Sequence, residues 1–389
     1  MNKLKLVLFI LLLAGCSKKD SGILPDALSP VDIDPGLTPI AITNCKLPEL
    51  LVRGDVGIGF PKLANRLRSI GNLKVNVIFV DFPDAPATQT TQEIFKILTP
   101  TAENYLSSSS YGKLSLQLVP QHKWYRMSKT STSYGWTNLT FASHRKYIQE
   151  AISYSDPEID FSGSDAFIII ANPNAAALKN GPAFTASIGA GITADGKEFL
   201  SSATSGADLL YWEGYWLPHE FGHMMGLVDL YEYGAISAHR YVGEWSIMGL
   251  ISGKGKDLFG WEKWVLGWLS DDQVVCVNSG VNRVTLTPLE TPGGTKLFVS
   301  PLSSTSALVV ESRQASVLNS GIPKSGPLVY LVDTSIPSGN GTVKVLPIDD
   351  VDSKKLFLTM SVGQEIKFGN LTVKYVGKNL LGDVIDLKR

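Results

Sequence analysis

The chain of 389 residues has only three cysteines, no long basic run and no long apolar stretch beyond its N-terminus. Each absence narrows what the protein is. With net charge -1 and aromatic residues that do not interleave with lysines, no electrostatic footprint for nucleic acid exists. No later segment is long and apolar enough for a transmembrane helix. Internal repeats and low-complexity tracts are also missing. What remains is ordinary globular composition, 44% hydrophobic and 18% charged, long enough for a large core and two domains.

The N-terminus, MNKLKLVLFILLLAGC, sets Lys3 and Lys5 before an apolar run over residues 6–13. That run is too short to span a bilayer and has the shape of a secretory h-region. Leu13-Ala14-Gly15-Cys16 resembles a bacterial lipobox. The resemblance implies a signal peptide over 1–15 and a lipid on Cys16; the alternative is a plain signal peptide with an incidental cysteine. Ser17 stands where an aspartate would favour inner-membrane retention, so an outer-membrane anchor in the cell envelope is expected. With Cys16 assigned to lipid, Cys45 and Cys276 are left. In an oxidising compartment an even pair suggests one disulfide, two separate buried thiols being the alternative. A zinc-blocking switch at Cys45 is disfavoured, because no arginine or other characteristic motif flanks it.

Residues 17–39, rich in Ser, Asp, Pro and Gly, read as a tether. Residues 73–82 (LKVNVIFVDF) form the first strong strand, and AFIIIA at 166–171 suits a buried central strand. TQEIFKIL and TAENYL look helical with a break at Pro100, and LSLQLVP alternates like a half-buried strand. Residues 144–153 place Tyr147, Ile148, Ala151 and Ile152 on one helical face. A tryptophan-rich helix is predicted over 256–269. From 271 onward short strands alternate with Gly, Pro, Ser and Asn turns, the texture of a β-sandwich. The expected organisation is a tether and arm over 16–70, an α/β (α+β) catalytic domain over 71–270 and an all-β, sandwich-like domain over 271–389.

The chemistry concentrates at residues 216–231, WLPHEFGHMMGLVDLY. On a helix, positions i and i+4 share a face, so His219 and His223 can meet one metal ion. Glu220 lies beside them, placed to orient water without being a ligand. Zinc lowers the pKa of a bound water toward ~7, and a carboxylate can take its proton as it attacks a carbonyl. A catalytic site needs a third ligand and an open position, and Asp229 offers that ligand. Gly226 permits the left-handed turn that ends the helix and swings the chain back beneath the metal. HExxH alone arises by chance in unrelated chains; the whole string here is HExxHxxGxxD. The plain alternatives are an amphipathic helix with surface histidines, and an Asp229 that only caps the next turn.

These residues resemble the zinc motif of M6-family metalloproteases, the immune inhibitor A group of secreted bacterial zincins. EWSIMG, with Met248, resembles their Met-turn, an apolar floor below the ligands. GWEKWVLGWL resembles the following helix. VIFVDFPD, YLSSSSYGKLSL, KWYRM and Tyr134-Gly135 resemble the family's upstream pattern, and VVESRQ and GPLVYLVD its β-rich continuation. The match runs roughly over 73–333. It implies a zincin-like fold, zinc at His219, His223 and Asp229, and Glu220 as general base. Two positions depart from the pattern. Pro218 precedes His219, and proline fits only a first turn, so the helix must start late or kink near Gly214. Val228 stands where a small residue or proline is usual.

Other residues compete for roles. Glu232, Glu244 and His239 are rival third ligands, and Tyr231, Tyr233 and Tyr241 are candidate oxyanion donors. His122 and His144 carry no assignment. PIDDVD at 347–352 lacks the spacing of a known calcium loop and reads as a solvated turn. The expected function is a monomeric, lipid-anchored zinc endopeptidase acting on protein or peptide substrates. The alternative from another class is a non-catalytic adhesion or glycan-binding lipoprotein on the same scaffold.

Overall fold

The structure, a computed structural model, describes residues 37–50, 55–235, 237–347 and 358–389. Cys16, the expected signal peptide and most of the PIDDVD stretch lie outside the described residues. After an arm up to residue 70 come β1 (Gly71–Asp81), α1 (Thr91–Leu98), α2 (Thr101–Ser109), β2 (Leu114–Arg126), α3 (Phe141–Ser155) and β3 (Ala166–Ala171). Four short strands follow, β4 (Ala183–Thr185), β5 (Ile192–Ala194), β6 (Lys197–Phe199) and β7 (Ser201–Thr204). Next are the helices α4 (Leu209–Trp212), α5 (Trp216–Met224) and α6 (Gly260–Val265). The chain is mixed α/β, with more strand than helix.

The first sheet has the order β2-β1-β3-β7-β4. Its first four strands are parallel, and β4 runs antiparallel to β7 at the edge. Val75, Val77 and Phe79 of β1 pack with Ile168 and Ile170 of β3 on one face. Ile78 and Val80 pack with Phe167 and Ile169 on the other, against Tyr147, Ile148, Ala151 and Ile152 of α3. Burial on both faces is why β3 reads as an apolar run rather than an alternating one. The helical ends are also set locally: Thr90 and Glu93 form a capping box on α1, and Thr140 caps α3.

The strands after α6 are β8 (Val274–Cys276), β9 (Val281–Leu286), β10 (Leu297–Pro301), β11 (Ser306–Arg313), β12 (Gly326–Asp333) and β13 (Val343–Val345). They are followed by β14 (Glu365–Phe368), β15 (Leu371–Lys378) and β16 (Asp383–Lys388). They build two sheets, ordered β13-β12-β11-β10-β8 and β14-β15-β16-β9. Leu308 and Val310 of β11 pack with Val373 and Ile385 of the second sheet. Ala307 and Val309, on the opposite face of β11, join the cluster that holds Phe221 and Trp261. Packing is therefore continuous across residue 270, where the sequence changes texture.

The arm is part of that packing. Cys45 and Cys276 are joined in a disulfide with Cα atoms 5.9 Å apart. Residue 38, within the stretch read as tether, is held by its N–H donating to Asn282 Oδ1 over 2.9 Å. The tryptophans of and around α6 explain their number here. Trp261 donates its indole N–H to the Ile58 carbonyl over 2.8 Å, and Trp268 donates to the Ser69 carbonyl over 2.7 Å. A buried indole needs such a partner, and the arm supplies it. α6 itself is shorter than the predicted 256–269: the extended backbone of Phe259 delays its start to Gly260, and Gly267, with φ +76°, turns the chain away after its end.

Candidate metal centre

Helix α5 begins at Trp216, so Pro218 falls in its first turn, where no backbone N–H partner is lost. The helix starts late rather than kinking. His219 and His223 project from one face with ring centroids 4.8 Å apart. His219 Nδ1 lies 2.9 Å from the Ile247 carbonyl, and His223 Nδ1 lies 2.9 Å from the Leu227 carbonyl. A carbonyl only accepts, so each Nδ1 carries the proton and each Nε2 keeps its lone pair. The two Nε2 atoms stand 3.2 Å apart, two lone pairs facing one spot.

Asp229 completes the group. Gly226, with φ +103°, ends the helix and lets Leu227 and Asp229 return beneath the histidines. Asp229 Oδ1 lies 3.1 Å from His223 Nε2 and 3.4 Å from His219 Nε2. Donors about 2.0–2.1 Å from a small tetrahedral cation stand about 3.3–3.4 Å apart, close to these three edges. Oδ1 is also buried without a hydrogen-bond partner, an arrangement that a cation would satisfy. Burial works to raise the Asp229 carboxyl; with a proton on Nε2 of either imidazole, His223 and His219 outweigh burial and hold it well below its usual range. His219, His223 and Asp229 thus form a group that could hold a metal ion.

Glu220 stands beside the group and outside it. Its Oε2 accepts the Ala183 backbone N–H over 2.6 Å, which ties it to edge strand β4. Burial pushes its carboxyl up to about 8, with His219 pulling it back and the charge of Asp229 adding to the rise. All four residues line one cleft of about 520 Å³, shared with Asp55, Asp208, Trp212, Tyr231, His239 and Ser338.

Beneath the histidines lies the turn that carries Met248. Met248 is fully buried, and its Sδ sits 2.4 Å from where a Cβ on Gly222 would stand. Glycine inside HEFGH is therefore what lets the turn press against the helix. The same turn supplies the Ile247 carbonyl that fixes the His219 tautomer. It is anchored by Ser246 Oγ, which donates to the buried Glu262 Oε2 over 2.8 Å.

The competing residues go elsewhere. Glu232 accepts from Arg240 over 2.6 Å, and Glu244 accepts the Lys254 N–H over 3.1 Å. Of the three tyrosines, Tyr231 lines the cleft. Tyr233 donates to Asp229 and Tyr241 to Glu232, so both hydroxyls serve carboxylates. Burial, aided by Asp229, raises the Tyr231 pKa, so its hydroxyl stays protonated and able to donate. His239 lines the cleft, its Nδ1 3.0 Å from the Gly249 carbonyl. His144 is buried on α3, 2.8 Å from Thr204 Oγ1, away from the group. Val228 is buried and is not one of the residues that line the cleft.

Several contributors had no mark in the sequence. The Ala183 N–H, the Ile247 and Leu227 carbonyls and Ser338 act through backbone groups or across long separations. Residues 181–185 carry only the Gly181-Pro182 turn signal, too weak to announce an edge strand beside a metal group. No protein-family model matches the chain, and no curated protein matches it.

Proposed function

We propose that this protein is a zinc-dependent endopeptidase of the M6, immune inhibitor A-like kind. The observation that carries the reading is the convergence of His219 Nε2, His223 Nε2 and Asp229 Oδ1, with Glu220 tied to an edge strand in the same cleft. Two imidazoles, one carboxylate and an open side suit zinc and match a catalytic rather than a closed structural site. When bound, zinc supplies Lewis acidity, polarising a carbonyl and making water a stronger acid.

The rest is the work of the chain's own groups. Pro182 and Ala186 bond inward to β7, at Thr204 and Leu200, so Ala183 and Thr185 turn their backbone groups outward. With the Ala183 N–H taken by Glu220, an extended peptide laid along β4 pairs with the Ala183 carbonyl and the Thr185 backbone groups, and its scissile bond passes Glu220. Glu220, its Oε2 fixed by Ala183, takes a proton from the attacking water and returns it to the leaving amine. Tyr231, which lines the same cleft, donates to the developing oxyanion in this reading.

The fold reading that goes with this is a zincin-like catalytic domain followed by a sandwich-like C-terminal domain. We further infer a lipid anchor at Cys16 and a place in the bacterial cell envelope. No described helix is long and apolar enough to cross a membrane.

The test is metal analysis combined with digestion of a broad peptide library, with and without a chelator. One zinc per chain and cleavage abolished by the chelator are expected. Bound zinc with no cleavage of any peptide would favour the non-catalytic adhesion reading.

A further inference from the structure

The group depends on one carboxylate being turned the right way, and that carboxylate is held from far along the chain. Asp229 N–H donates to Ser338 Oγ over 2.9 Å, across a separation of 109 residues. Tyr233 Oη lies 3.0 Å from Ser338 Oγ and 2.5 Å from Asp229 Oδ2. Each hydroxyl has one proton, and an ionised carboxylate only accepts. The Tyr233 proton therefore goes to Oδ2, the shorter and charge-assisted contact. Ser338 must then donate to Tyr233 while it accepts from the Asp229 N–H. The bonds close a ring that begins and ends on Asp229, with every proton running the same way.

Two backbone bonds clamp the ring. Gly339 N–H donates to the Asp229 carbonyl over 3.1 Å, and Tyr233 N–H donates to the Gly339 carbonyl over 3.0 Å. Ser338 and Gly339 sit in the connection between β12 and β13, so the clamp comes from the strand-rich region. Its effect on Asp229 is selective. Oδ2 is bonded, whereas Oδ1 is left facing the two Nε2 atoms at 3.1 and 3.4 Å.

We propose that the Ser338–Tyr233 ring is the positioning element for the third ligand, so that a C-terminal turn sets how tightly the centre holds its metal. This rests on His219, His223 and Asp229 being a metal site. An unrestrained carboxylate rotates about two torsions and presents either oxygen, or both, to a cation. The ring removes those choices before binding, and outer partners of this kind are worth about 10–100-fold in metal affinity. Tyr233 and Ser338 act through Asp229 and are positioning residues.

The experiment measures Zn2+ affinity of the full chain by competition with a chromogenic chelator, for the wild type, Tyr233→Phe and Ser338→Ala. Each variant is expected to bind about 10–100-fold more weakly. With Co2+ as a spectroscopic probe, each should also show an altered visible band, since the carboxylate's binding mode changes. Tyr233 is 44% exposed, so Tyr233→Phe removes only a hydroxyl from a half-exposed ring and keeps the test valid should Ser338→Ala unfold. Wild-type protein that binds no Zn2+ overturns the metal reading and this proposal with it. Tight wild-type binding, matched by both folded variants with an unchanged Co2+ band, leaves the metal reading standing and overturns the positioning role.

Discussion

The region up to α6 and the strand-rich region after it are built alike and contribute differently. In each, a sheet is buried on both faces, through β1 and β3 in the first and β11 in the second. Yet all five histidines precede residue 240, and the whole metal group falls within residues 219–229. Among the described residues, the second region adds none to the group that could hold a metal. It gives the Ser338 hydroxyl and Gly339 backbone that hold one ligand, and buried Arg313, which stacks 5.1 Å over Trp245 beside the Met248 turn. Chemistry is gathered into one helix and its turn; the restraint on that chemistry is spread over the chain. A perturbation in the second region should therefore act through the first.

The largest effect is expected where the two regions share buried charge. Arg313 is fully buried, 2.8 Å from Glu311 Oε1, and donates to the Asp257 carbonyl over 3.1 Å. Arg313→Ala strands buried carboxylates, and removing one partner of a buried pair costs about 3–5 kcal/mol. Urea unfolding followed by tryptophan fluorescence measures it. A loss under about 1 kcal/mol would mean the regions are not coupled through this residue.

Next comes the covalent link between arm and second region. Cys45→Ser with Cys276→Ser opens a loop of sequence separation 231, and such bridges are worth about 2–4 kcal/mol. The same unfolding measurement, run with and without reductant, should show the wild type dropping to the level of the double variant. No change on reduction would show that the arm is held by packing alone.

The smallest effect sharpens the contrast by pH. Burial pushes the His144 pKa from 6.5 down to about 4. The folded pKa lies below the unfolded one, so this stability is fully present above pH 6.5 and is lost as pH falls through about 4. The loss is about 2 kcal/mol by pH 5. His144→Gln should flatten that part of the stability curve, measured as unfolding midpoints from pH 7 to 5. An unaltered slope would assign the acid sensitivity to other groups.

Much of the first region was legible because its signals are local. Alternation marked β1, an apolar run marked β3, helical spacing marked the buried face of α3, and Pro100 marked the break between α1 and α2. His219, Glu220 and His223 follow from helical spacing, and Gly226 from the turn that Asp229 needs. Pro218, a fault in a longer helix, fits one that starts at Trp216. The edge strand at 183–185 escaped, since three residues are too few to show a period, and what matters there is a backbone N–H. Ser338 escaped for another reason. One serine among many in a turn-rich stretch gains its role only when β12 and β13 carry it to Asp229. The choice between Asp229, Glu232 and Glu244 likewise needed coordinates, because each carboxylate finds a different partner within the same span of sequence.

The most direct measurement is on Glu220→Gln, which keeps the shape of the side chain and removes its basicity. The variant should retain one zinc per chain, with the wild-type affinity within a few-fold, and cleave no peptide that the wild type cleaves. Persistent cleavage by a folded, zinc-loaded Glu220→Gln protein would contradict the account.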